Sequence, residues 1–419
     1  MMITKTRLAA LVALLASLAW AGSARAGGYD TPMLYTARHL GMGGTAVGYV
    51  RDPSALFHNP AGLGHIGRLS LLGDFSLLVG KIHGSPADGA LDRESETTIA
   101  PFFLVGGALR ITDWLVVGAA VYPVASAGAT YEYLESSERL VTDRTKLVFI
   151  EVSPGIAVQL PDEHLSIGFG YRVNITELER FQGAEGADPV HDFTLKGSNL
   201  ASFRAGLQWQ PDPHFGVGLS YRHKTVTEVS ADGGRALSAD VTEMSSAFTL
   251  PARLSFGLRG DAGQFGAAVD LEYALNSQND STVVTAKVEP IEISPENVFE
   301  WSDAVTLRYG VEYRPARGIA ARLGYALDGK TANDQYPTAF GTPPAPTHVL
   351  TAGAGIDGGP WEVNLAYAYR FGGTTITQAE LDGAERTCLF CGKAGDYSIA
   401  LHGIYVDFSW DFGSTEPDA

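Results

Sequence analysis

From about residue 68 onward, apolar residues recur at every second position, segment after segment. Leu165, Ile167, Phe169, Tyr171 and Val173 alternate with Ser166, Gly168, Gly170 and Arg172. Phe203, Ala205, Leu207 and Trp209 alternate with Ser202, Arg204, Gly206 and Gln208. The same holds for Phe215 to Arg222, Val305 to Arg314 and Trp361 to Phe371. A period of two belongs to strands with two unlike faces. Here one face is apolar and aromatic, and the other carries glycine and charge.

The breaks between segments alternate in length. Short ones include Thr112-Asp113, Pro161-Asp162-Glu163, Pro211-Asp212-Pro213 and Gly358-Gly359. Long ones cover roughly 82–97, 128–145, 177–196, 228–248, 276–303, 326–346 and 372–396. A soluble sandwich has no reason to sort its loops by side, whereas an up-and-down membrane barrel does. The segments number about fourteen, an even count that such a barrel allows. The expected fold is all-β: a transmembrane antiparallel barrel of about fourteen strands.

The charges decide which face meets lipid. Arg172, Arg204, Arg222, Arg253, Arg259, Asp270, Glu272, Arg308, Arg322 and Arg370 share the small-residue face. An arginine facing lipid at mid-membrane costs about 2–4 kcal/mol. The charged face therefore belongs to the lumen. After residue 26 no apolar run is long enough for a membrane helix. The last segment ends Ile404, Val406, Phe408, Trp410, Phe412, while Ile399 and Leu401 have the opposite parity. A bulge near His402-Gly403 would reset the register.

The first residues set the compartment. Lys5 and Arg7 precede the apolar run Leu8 to Ala21, and Ala24-Arg25-Ala26 is a small-x-small cleavage site. This reads as a secretory signal peptide over 1–26. That segment holds three positive charges and no acid, so the net charge of −17 becomes −17 − 3 = −20 without it. Such an acid excess argues against a nucleic-acid partner. Residues 27–67 lack the alternation. They carry Gly41-Met42-Gly43-Gly44 and then Asn59-Pro60-Ala61-Gly62-Leu63, which is turn chemistry. They read as a compact plug, followed by the barrel over 68–412 and a tail over 413–419.

These pieces carry a resemblance. Gly41 to Gly44, then Asp52-Pro53-Ser54-Ala55, then Asn59 to Leu63 resemble the start of mature long-chain fatty acid transporters, the FadL/TodX family. Val152-Ser153-Pro154-Gly155, Gly218 to Arg222, Leu250-Pro251-Ala252, Trp301 to Ala304 and Gly324 to Asp328 are similar in the same order. The likeness runs nearly the whole chain after residue 26. It implies a luminal hatch around Asn59, Pro60, Ala61 and Gly62 inside a fourteen-stranded barrel. It also implies passive uptake of a hydrophobic small molecule, a fatty acid or hydrocarbon, across a lipid-embedded barrel of the Gram-negative outer membrane. In that family a kink in the third strand opens the wall sideways. A related barrel group associated with secretion shares the Asn-Pro-Ala-Gly-Leu opening, so a protein-binding barrel is the alternative, and a general aqueous porin is a third.

Pro101 and Pro123 lack amide protons. A turn centred near Thr112 would set them opposite one another across the second and third strands and weaken that seam. Gly118 and Gly128 would ease a bend, with Tyr122 beside it. Arg172, Arg204, Arg222 and Arg308 are candidates to hold a carboxylate by charge-assisted hydrogen bonds. The competing reading is an internal network of these arginines with Asp270, Glu272, Glu312 and Glu362. Cys388 and Cys391 lie close enough for a local disulfide in an oxidising compartment. Gly353-Ala354-Gly355-Ile356-Asp357-Gly358 imitates a dinucleotide fingerprint but leads into another strand, not a helix. No nucleophile elbow, P-loop or zinc-protease motif occurs. No cofactor, metal or catalytic residue is expected. Apolar patches near the long loops, Phe248 with Leu250 and Val298-Phe299, would catch a hydrophobic molecule.

Overall fold

In the computed structural model, residues 29, 35–86, 93–135, 138–160, 164–288, 290–316 and 318–413 are described. The signal peptide, the break at 161–163 and the tail after Gly413 lie outside them. Fourteen strands form the wall. They are β1 (Leu69–Gly84), β2 (Thr98–Arg110), β3 (Leu115–Leu134), β4 (Leu140–Gln159) and β5 (Leu165–Ala184). Next come β6 (His191–Asp212), β7 (Phe215–Arg222 continued by Thr225–Ala231) and β8 (Glu243–Leu250 continued by Arg253–Ala262). Then follow β9 (Phe265–Ala274), β10 (Ala304–Ala316), β11 (Ile319–Asp328), β12 (Thr347–Asp357), β13 (Trp361–Ile376) and β14 (Gly395–Phe412). Each pairs antiparallel with its sequence neighbour, and β1 pairs β14 from Leu69↔Phe412 to His83↔Ser398. The sheet closes on itself into a barrel, with β1 and β14 joined.

The two faces separate as the alternation requires. On β5, Ile167, Phe169 and Tyr171 are 46%, 43% and 39% exposed, while Ser166 and Arg172 are 0% exposed. Arg204, Arg222, Arg253, Arg259, Asp270, Arg308 and Arg322 are likewise buried inside. Replacing Phe169 by Arg is expected to lower stability in lipid by about 2–4 kcal/mol. Urea unfolding in lipid vesicles reads this directly. A cost below ~0.5 kcal/mol, usual for a neutral surface exchange, would mean that this face does not meet lipid.

Two expectations are corrected. Residues 128–145 and 177–196 are not mainly loops: β3 with β4, and β5 with β6, stay paired up to Leu134↔Leu140 and Gln182↔His191. Polar side chains there mark the exit of the hairpins from lipid, which the backbone ladder outlasts. No bulge resets β14 either, because its register with β1 and β13 runs unbroken through His402 and Gly403. Ile399 and Leu401 point inward on the same face as Tyr405 and Asp407, and Ile399 is buried. Their parity is that of an interior that turns apolar toward the long-loop end.

Candidate functional site

The lumen has two storeys. The lower one, toward the short turns, is filled by residues 35–67. Short helical pieces, Ala37–Leu40, Ala55–His58 and the 3-10 turn Pro60–His65, alternate there with turns. Orphan backbone groups of this irregular segment are met by carboxylates on the wall. Ala37 N donates to Asp74 at 3.1 Å, Arg38 N to Asp407 at 2.8 Å, and Ala46 N and Val47 N to Asp270 at 2.8 and 3.0 Å.

Asn59 does the corresponding work with its side chain. Held extended before Pro60 (φ −156°), it accepts from Ala61 N at 3.2 Å. Its Nδ2 donates to Val47 O at 2.8 Å and to Leu207 O of the wall at 2.9 Å. Close approach requires glycine on both sides. Gly43 (φ +71°) lies against Tyr325 backbone, and a Cβ on Gly206 would overlap Asn59 Oδ1. Burial, with His39 facing it, holds the His58 imidazole well below its ordinary pKa, so the ring is neutral beside Tyr35 O.

The arginines of this storey form a network. Glu312 accepts from Arg259 and Arg322, both at 2.7 Å. Glu362 accepts from Arg322 at 3.3 Å and from Arg38 at 2.7 Å. Glu272 lies between Arg253 and Arg308. Arg172 Nε donates to Glu151 at 2.7 Å, and Arg204 reaches the same carboxylate at 3.8 Å. Tyr122 OH donates to Glu151 at 2.5 Å and to Leu56 O at 3.0 Å. Arg222 and Arg308 border a small polar cavity beside Arg253, Glu272 and His58. The four arginines singled out in the sequence therefore sit in two clusters, one around Glu151 and one around Glu272.

The upper storey is largely apolar, with polar side chains such as Arg180, Gln182 and His191 among its lining. One cavity lies over Leu40, bounded by Leu78, Ile82, Phe102, Ile399 and Leu401, with Arg370 at its margin. That arginine is ion-paired with Asp328 at 2.5 Å. A larger chamber of about 430 Å³ opens toward the long loops. Its wall includes Leu147, Leu178, Phe193, Leu195, Phe248 and Phe299. This volume falls within the range of about 300–1,000 Å³ usual for small-molecule sites. Phe248, Val298 and Phe299 line it as the sequence suggested, whereas Leu250 is buried in the core below. Ala127 and Gly341 border both spaces.

The wall is interrupted beside the first cavity. β2 and β3 pair only from Arg110↔Val116 to Val105↔Val121. The register differs by two from that expected, so Pro101 and Pro123 are not opposite each other. Above the gap Glu96 N donates to Thr130 O at 2.7 Å, which makes the gap a bounded window. β3 is bulged between Pro123 and Ala125 against β4, and Tyr35 OH donates to Pro123 O at 2.9 Å. The inner segment thus occupies a carbonyl that β2 would otherwise reach. Gly118 lies below the window, paired with Ala108 and Gly155. Gly128 lies on its rim with Ser126 and Ala127. Pro101 pairs with Leu77 of β1 and points outward.

The last long loop roofs the chamber. Cys388 and Cys391 are bonded, with Cα atoms 5.5 Å apart, and hold Leu389 and Phe390 at its wall. Arg386 joins Asp280, Glu296 and Glu300, and its N–H donates to Tyr336 OH at 2.9 Å. Arg386→Ala is expected to speed amide exchange across 378–394 by at least about fivefold, as loss of about 1 kcal/mol of local closure does. Unchanged exchange there would show that the ion pairs do not hold the roof. Among the described residues no group of His, Cys, Asp and Glu is arranged to hold a metal.

Two features escaped sequence reasoning: the Tyr35–Pro123 contact and the inward apolar positions of the upper storey. Only the parity reversal at Ile399 and Leu401 signalled the second.

A closed barrel with an apolar outer belt and a charged interior carrying an inner segment is a membrane-spanning β-barrel with a plugged lumen. Comparison with known proteins agrees. Residues 16–389 match the model of the outer membrane protein transport protein family (OMPP1/FadL/TodX), and the chain belongs to that family. A FadL homologue of Pseudomonas aeruginosa is similar in structure, with a TM-score of 0.69 at 16% identity over 92% of this chain and 100% of that one. The Pseudomonas putida toluene transporter TodX gives 0.67 at 17% identity, over 92% and 99%. The Ralstonia pickettii toluene transporter TbuX gives 0.65 at 16%, over 90% and 98%. No curated protein sequence matches the chain. The protein is a Gram-negative outer-membrane β-barrel of a transport family, not of an enzyme family.

Proposed function

We propose that the barrel takes up hydrophobic small molecules passively, long-chain fatty acids or hydrocarbons among them. The observation that carries this is the apolar upper lumen, with a window between β2 and β3 at its side. A hydrophobe caught under the roof by Phe248, Val298 and Phe299 passes by Ala127 and Gly341 into the inner cavity. From there the window beside Tyr122, Pro123 and Gly128 leads into the bilayer, so the ligand never crosses water. Residues 27–67 act as a hatch that closes the straight path. Asn59, Pro60, Ala61 and Gly62 are its hinge against the wall, and Tyr35 links it to the window. No energy source or cofactor enters this scheme.

The test is uptake of a radiolabelled long-chain hydrophobe by cells whose outer membrane lacks such a channel. Cells producing the folded barrel should take it up faster than cells without it. Equal rates, with the barrel shown to be folded in the membrane, would sink the proposal.

A further inference from the structure

Six aromatic rings form an unbroken chain on the outer face of β11 to β14. Between ring centroids, Tyr325 lies 6.1 Å from His348, and His348 lies 5.3 Å from Phe371. Phe371 lies 5.2 Å from Tyr369, Tyr369 4.8 Å from His402, and His402 6.1 Å from Tyr367. On their strands these residues alternate with buried inward ones such as Val349, Ala366 and Ala368, so they belong to the lipid side. Two hydrogen bonds tie the chain together. Tyr325 OH meets His348 Nδ1 at 2.8 Å, and Tyr367 OH meets His402 Nδ1 at 2.6 Å. The arrangement recurs on β6 and β7, where Tyr221 OH meets His223 Nδ1 at 3.0 Å and the imidazole stacks on Phe203 at 4.8 Å.

The imidazoles share a height. Nine residues separate His348 from Asp357 at the lower end of β12, ten separate His402 from Phe412, and eight separate His223 from Phe215. A tilted strand crosses the hydrocarbon in about 9–11 residues. Trp361, paired with Trp410, holds the lower boundary, so the histidines stand at the outer one. Tyrosine is ordinary there, because a phenol turns its hydroxyl to the head groups. Here the phenols are turned aside to the imidazoles instead. With the phenol as donor, the ring proton sits on Nε2. For His348 and His402 that Nε2 has no partner among the described residues. The flanking outward positions Leu327, Leu350, Ala400 and Ile404 carry no charge. Lys81 lies opposite Ala400 across the β1–β14 seam and is ion-paired with exposed Glu94. An anion at this layer would meet N–H donors and no acid among these neighbours.

We propose that His348 and His402 bind the phosphate of a lipid head group in the outer leaflet. Each Nε2–H donates to a phosphate oxygen, the phenol fixes the tautomer, and the ring stack fixes the plane. A charged acceptor makes such bonds the stronger kind. Phe371 and Tyr369 stand between the two imidazoles, so each takes a phosphate of its own. The contact is made on the outer wall and is independent of what the barrel carries.

The test is native mass spectrometry of the full chain with lipid A, an acylated glucosamine disaccharide bearing phosphates, and with the same lipid after phosphatase treatment. Such a lipid is far larger than the chamber of about 430 Å³, so its binding reports on the outer wall. The phosphorylated form should bind more tightly than the phosphate-free form by at least about fivefold. His348→Phe with His402→Phe, which keeps the ring stack and removes the donors, should erase that lead and leave the phosphate-free lipid unchanged. His348→Leu with His402→Leu should do the same, and it covers the case in which the phenylalanine pair fails to fold. Equal binding of the two lipids to the native chain would mean that the rings serve only as an aromatic girdle and would overturn the proposal. So would failure of the native chain to bind either lipid, or a lead that survives either pair of substitutions.

Discussion

Glu151→Ala is expected to lower the stability of the barrel by about 3–5 kcal/mol, the usual cost of removing one partner from a buried ion pair. Glu151 is 0% exposed and is shared by Arg172, Arg204 and Tyr122. Its loss leaves two guanidinium groups inside without their carboxylate. Arg204 and Tyr122 also donate to Leu56 O of the inner segment, so the same change loosens the floor. Urea unfolding in lipid vesicles, followed by tryptophan fluorescence, measures the loss. Glu151→Leu combined with Arg172→Met should recover part of it, because an apolar pair removes both the charge and its need. A single-variant loss below about 1 kcal/mol would contradict the network, since that is the value of an exposed pair.

Gly206→Val should turn a closed barrel into one that conducts ions. The wall accepts valine readily, because β-branched residues suit strands. Gly206 pairs with Gly168 and Ser220 in an intact ladder. Its new side chain, however, would occupy the place of Asn59 Oδ1. Asn59 would lose its bonds to Val47 O and Leu207 O, and with them the seat of Pro60 against Gly168. Gly73→Val is the control, since nothing lies within 4 Å of a Cβ there. Single-channel recording in a planar bilayer should show steps for Gly206→Val and none for the native chain or Gly73→Val. A closed Gly206→Val barrel would show that residues 35–67 do not stopper the lumen.

The wall was legible because a period of two survives in each strand whatever lies around it. Leu165 to Val173 needed no partner to reveal its two faces. Asn59-Pro60 was legible for a similar reason: proline constrains its own neighbour. Long-range facts were not. Pro101 and Pro123 were set opposite each other by assuming a symmetric turn at Thr112. The turn spans Ile111 to Trp114, and the register moved by two. At β14 the parity change at Ile399 and Leu401 was real, but its cause was chemical, not geometric. Those residues face the inner cavity, and a rule that lumen means polar misplaces them. The lengths of the outer hairpins failed likewise, since polarity marks where lipid ends and not where strands do.

Photolabelling places the ligand most directly. A long-chain hydrophobe carrying a diazirine in its tail would be added to the barrel in lipid, illuminated, and the labelled peptides sequenced. Label should fall on inward residues of the upper lumen, such as Leu147, Phe193, Leu195, Phe248 and Phe102. Label confined to outward residues such as Ile167, Phe169 and Leu365 would mean that the molecule meets this protein only as part of the bilayer and never passes through it.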